Sequence, residues 1–111
     1  MIDYKEKIRE FGEIDMSNPD LPTLDNLLIQ LSVALSEVGD KKTKARSKYY
    51  QVLRAFRKTQ PSVAGAEVEA NASPEYEQKE QMEADYDTIK NVINVIKHLE
   101  NQYNELYRKG I

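Results

Sequence analysis

Residues 41–58 carry eight cations and no acid: Lys41, Lys42, Lys44, Arg46, Lys48, Arg54, Arg57 and Lys58. Two tyrosines, Tyr49 and Tyr50, lie inside that run. Ammonium and guanidinium groups neutralise phosphates, and an aromatic face can stack on an unpaired base. This mixture of residue types therefore suits single-stranded nucleic acid. The formal net charge of −3 conceals the block. Acids dominate residues 1–40 and again 59–87, and the overall balance is what remains after cancellation. A charge run on a helix is equally the mark of a simple solvated face, and the two readings stay open at this level.

Other chemistries find little support. There is no Cys and one His, His98, which excludes zinc fingers, iron–sulfur sites, thiol catalysis and disulfides. His98 has no Ser or acid at triad-like or metal-ligand spacing. Asp85 and Asp87 lie two apart and would diverge on a helix, making a poor metal pair. Gly65 stands alone, so no glycine-rich loop cradles a phosphate. Asn71-Ala72-Ser73 matches a glycosylation sequon by chance. The expectation is a non-enzymatic protein without metal or cofactor. The N-terminus mixes acids and bases, unlike a signal peptide, and no apolar run approaches the roughly 20 residues of a membrane span. A cytoplasmic protein with no membrane association is expected, in the host cytoplasm if phage-encoded.

The elements that must carry the block are helical. Residues 1–22 read as a short helix, about 3–11 with Gly12 as its stop, followed by a connector containing Pro19 and Pro22. Residues 23–111 read as a helical hairpin. Its first helix, about 23–60, begins at Thr23 as N-cap. Its stripe is Leu24, Leu28, Leu31, Leu35, Val38, Lys42, Ala45, Tyr49, Val52 and Phe56, a heptad seam with one charged member. Gly39 is the weak point, where a kink or break is the alternative to a continuous helix. Residues 61–73 read as a loop with at most a helical turn. The second helix, about 74–109, starts with Ser73 as N-cap, Pro74 at the first helical position and acids in the first turn. Its stripe is Met82, Tyr86, Ile89, Ile93, Ile96, Leu99, Tyr103 and Leu106, and Gly110 is its expected stop.

The fold class expected is all-α: a long antiparallel, coiled-coil-like hairpin with a short N-terminal helix. Two helices bury little surface, and their stripes are wider than a two-stranded seam needs, so a homo-oligomer, or packing against a partner, is expected. Facing positions in a hairpin share a constant index sum. Pairing Val52 with Met82, Tyr49 with Tyr86, Ala45 with Ile89, Val38 with Ile96 and Leu28 with Leu106 satisfies nearly every apolar position. In that register Arg54, Arg57 and Lys58 meet Glu75, Glu77, Glu80 and Glu83 as structural pairs. The middle of the hairpin keeps a positive band. The candidate DNA-binding residues are Lys41, Lys42, Lys44, Arg46, Lys48, Tyr50, Arg54 and Lys90.

The run Ala45-Arg46-Ser47-Lys48-Tyr49-Tyr50, the segment Leu53-Arg54-Ala55-Phe56-Arg57-Lys58 and the stretch Ala70-Asn71-Ala72-Ser73-Pro74-Glu75-Tyr76 resemble small helical-hairpin proteins of bacteriophages encoded near recombination genes. The layout is also similar to the recombination mediator proteins of T4-like phages. Ile14-Asp15, Ala84-Asp85-Tyr86-Asp87-Thr88-Ile89-Lys90 and Arg108-Lys109-Gly110 stand where those proteins have related motifs. The resemblance implies a ring-like oligomer that binds single-stranded DNA and helps load a recombinase. The competing expectation is a protein–protein interaction hairpin: an assembly chaperone, a scaffold or an inhibitor of a host defence protein, with a phage or host protein as partner.

Overall fold

The computed structural model describes the backbone of residues 3–109 and the side chains of residues 3–106. Four helices follow one another: α1 (Tyr4–Gly12), α2 (Leu21–Thr59), α3 (Val63–Asn71) and α4 (Pro74–Lys109). Among the described residues there is no strand. The fold is the expected all-α helical hairpin, formed by α2 and α4. The expected stop at Gly110 and the side chains of the Arg108-Lys109-Gly110 end lie outside the described residues.

Local chemistry accounts for the helix starts. Asp3 caps α1 by accepting from the Glu6 N–H, and Arg9 ties Glu6 to Glu13 along its surface. α2 begins two residues before the expected N-cap. The Thr23 hydroxyl donates to Asp20 Oδ2 at 2.5 Å, and the Leu24 N–H bonds the Asp20 carbonyl. Asp20 thus stands just before the helix, its carbonyl accepting an early helical bond and its carboxylate holding the Thr23 hydroxyl, and Pro22 falls in the first turn, where its missing N–H costs nothing. Ser73 caps α4 as expected, accepting from the Tyr76 N–H at 3.3 Å, while its own hydroxyl donates to the Ala70 carbonyl at 2.5 Å.

α2 runs unbroken through Gly39. A Cβ built there would lie 3.4 Å from the Tyr86 ring, an ordinary contact, so packing does not require the glycine. The stretch between the long helices is more ordered than a loop. α3 occupies most of it, capped by Ser62 on the Gly65 N–H. Its buried Ala66 and Ala70 pack with Tyr49 and Leu53, with Val52, Phe56 and Tyr76 at the margin. Small residues, which carry no periodic signal, are what let a third helix sit so close.

The chain divides into two compact units. One holds residues 37–86, and the other holds the residues up to Ser36 with those from Asp87 onward. The core of the second unit is Phe11, Leu24, Leu27, Leu31, Ala34, Ile89, Ile93 and Ile96. Phe11 is buried there, so the N-terminal helix folds onto its own chain.

The pairing of α2 with α4 differs from the expected register. In the 37–86 unit Tyr76, not Tyr86, lies against Tyr49. Tyr86 instead meets Gly39 and Lys42. In the other unit Glu100 meets Asp25. Both units show a slip of roughly one heptad, after which two seams of equal period meet again over most of their length. At the tip α3 occupies the space beside Tyr49 and Leu53 where the expected register places Met82 and Tyr86. One result is that Tyr103 and Leu106, expected in the seam, are exposed. They border a groove of about 190 Å³ with Met16, Pro19 and Leu99.

Candidate nucleic-acid interface

The cationic block lies on one continuous stretch of α2 inside the 37–86 unit. Successive residues turn by about 100°, so the eight cations cannot share one face. The structure sorts them by that rotation.

Lys42 and Arg46 turn toward α4. The Lys42 ammonium stands 4.1 Å from the centroid of the Tyr86 ring. That contact explains how one charged residue is accepted in an apolar seam: its stem packs and its charge rests on a π-face. Arg46 Nε donates to Glu83 Oε1 at 2.6 Å. Its guanidinium holds the Glu83 carboxyl below the usual carboxylate range. Lys79 completes the cluster, bonding Glu80 at 2.8 Å and lying 3.6 Å from Glu83. The bond to Glu80 keeps the Lys79 pKa above that of an ordinary lysine. The Arg46 side chain is half exposed, so its bridge contributes no more than about 1 kcal/mol.

This corrects the expected division of charge. Arg46 was placed in the uncompensated band and Arg54, Arg57 and Lys58 among the structural pairs. The slip of one heptad brings Glu83 opposite Arg46. Among the described residues no carboxylate lies within ion-pair distance of Lys44, Lys48, Arg54, Arg57 or Lys58.

The remaining cations are exposed on α2. Lys41, Lys44 and Lys48 follow i, i+3, i+7 spacing and form one stripe. Tyr50, Arg54 and Arg57 follow i, i+4, i+7 and form a second stripe on the outer side. Tyr50 is 52% exposed. From Lys41 to Arg57 the two stripes run about 24 Å along the axis. Lys90 is exposed on α4 in the other unit.

Beneath Tyr50 lies an aromatic layer that the sequence did not suggest. Tyr49 is buried, and its ring meets Tyr50 edge-on at 5.5 Å and Tyr76 at 5.6 Å. Its hydroxyl donates to Asn71 Oδ1 at 2.6 Å, reaching from α2 to the end of α3. The Lys79 ammonium stands 5.3 Å from the Tyr49 ring and 5.4 Å from the Tyr76 ring. Periodicity marks Tyr49 as a seam residue but carries no information about Asn71, which lies in a segment without a helical stripe.

His98 and Asp87 are exposed on α4. Among the described residues no group of three or more His, Asp or Glu side chains is placed to hold a metal ion. No helix among them is long and apolar enough to cross a membrane. Comparison with protein-family models, with curated proteins and with solved structures gives no match to this chain.

Proposed function

We propose that this protein is a non-enzymatic single-stranded-DNA-binding accessory, using the exposed face of α2 between Lys44 and Lys58. Its resemblance to the phage mediators makes assistance in recombinase loading the corresponding role. One observation carries the binding reading. Among the described residues no carboxylate lies within ion-pair distance of Lys44, Lys48, Arg54, Arg57 or Lys58, all exposed on α2, and Arg54 and Arg57 share the stripe of the exposed Tyr50 ring. Cations held in internal bridges have little left for phosphates, whereas these are available without breaking any ion pair. Titration of labelled oligo(dT) at two salt concentrations tests the reading. Binding that weakens steeply with salt is expected, and no binding at low salt would overturn it.

The second reading is a protein-interaction hairpin, and a different observation favours it. In the unit holding both chain ends, Ile29, Val33, Val95 and Leu106 are exposed, Leu106 by 71%. Ile29 and Val33 lie one turn apart on the same face of α2, and apolar side chains grouped on one face suit association. The same titration separates the readings, because a protein-interaction hairpin should show no DNA affinity at physiological salt, and light scattering alongside it reports the mass. A homo-oligomer is expected, and a monomer at low micromolar concentration would refute self-association.

A further inference from the structure

Neighbouring residues on a helix point about 100° apart, and their rings ordinarily splay. Tyr49 and Tyr50 do not: the exposed ring stands edge-on against the buried one at 5.5 Å, with an interplanar angle of 65°. The buried ring is fixed from three directions. Asn71 at the end of α3 accepts from its hydroxyl. Tyr76 tilts against it from the start of α4. Lys79, one turn further along α4, stands over both rings. A buried tyrosine bound through its hydroxyl and packed on two sides has little rotational freedom, and it passes that restriction to the ring resting on it.

We propose that Tyr49 and Asn71 are positioning residues that hold Tyr50 as a base-stacking platform, so that this face takes nucleic acid through unpaired bases as well as through phosphates. α3 thereby acquires a role beyond filling the hairpin tip, since it supplies the acceptor that orients the platform from below. Arg54 and Arg57 lie one and two turns beyond Tyr50 on its own stripe. A strand whose base stacks on the ring has cations waiting for the phosphates that follow. The inference rests on the DNA-binding reading, and its test separates the two.

The chain has no tryptophan, so Tyr50→Trp introduces a single reporter at the platform. Two probes of equal length are compared, oligo(dT) and an abasic oligomer that retains every phosphate. Oligo(dT) is expected to quench the reporter and to bind at least about fivefold more tightly than the abasic strand, one stacked base being sufficient for that ratio. Asn71→Ala and Tyr49→Phe, made in the reporter background, should bring the ratio toward one while leaving affinity for the abasic strand unchanged. Asn71→Asp keeps the acceptor oxygen and should restore the ratio. A purely structural role for Asn71 would lower affinity for both strands together, which would refute the positioning claim. Equal affinity of the unsubstituted protein for the two strands would overturn the platform and leave the electrostatic reading standing. Failure of both strands to bind at low salt would overturn the DNA-binding reading itself.

Discussion

Replacing Lys44, Lys48 and Arg54 together with Ala should change the salt dependence of DNA binding by an amount that follows from the sorting of the cations. Among the described residues, five exposed cations on α2 have no carboxylate within ion-pair distance. If each meets one phosphate, and each phosphate contact on a single strand contributes about 0.7 to the slope, log Kd against log salt has a slope near 3.5. Raising salt fourfold, from roughly 50 to 200 mM, should then weaken binding about 130-fold. Removing three of the five lowers the slope to about 1.4 and the loss to about sevenfold. Arg46→Ala is the internal control. Its guanidinium is engaged with Glu83, so the slope should stay within experimental error while the hairpin loses up to about 1 kcal/mol. Fluorescence anisotropy of labelled oligo(dT) over a salt series reads both quantities. The assignment fails if the triple replacement leaves the slope unchanged, or if Arg46→Ala lowers it as much as a replacement on the outer face.

Three further outcomes follow from the fold. Gly39→Ala should stabilise the protein by up to about 1 kcal/mol, because the new Cβ meets the Tyr86 ring at an ordinary 3.4 Å and the helix gains propensity; a thermal melt followed by circular dichroism should show Tm rising, and a fall would mean the ring cannot give. Burial first, and the neighbouring Asp25 second, raise the Glu100 pKa. The folded state therefore holds that proton more tightly than the unfolded chain, so this contribution is present below the unfolded carboxylate pKa and is lost as pH rises through the raised one. Glu100→Gln should accordingly stabilise the protein at neutral pH and lose that advantage in acid; urea denaturation at both pH values checks this, and a pH-independent difference would refute it. Ser73→Ala removes the cap on α4 and the bond to the Ala70 carbonyl, and should cost about 1 kcal/mol in the same denaturation assay.

Particular residues show how far the fold was legible. Threes and fours of apolar spacing placed both long helices, and Ser73-Pro74 marked the start of α4 to the residue. Thr23 misled because a better acceptor, Asp20, lay three positions earlier. Register was beyond periodicity in principle: stripes with a common repeat fit again after sliding by one heptad, and only the bulk of α3 chooses between the fits. That choice decided the candidate site. The block as a whole was visible in the run of Lys and Arg, but which members stay available depended on where Glu83 falls. Asn71 had no signal, since a side chain that crosses from one helix to another to meet a hydroxyl leaves no trace in spacing.

The dependence on α3 has a consequence for how this surface can change. α3 sets which carboxylates reach which cations, much as a spacer sets the offset between two ratchets. Lengthening or shortening the segment between Thr59 and Pro74 would move the acidic stretch of α4 along α2 by whole turns. A shorter segment would carry Glu83 toward Arg54 and release Arg46, without alteration of any cation. The positive surface could therefore be relocated by changes of length at the hairpin tip alone, in a segment that contains no cation.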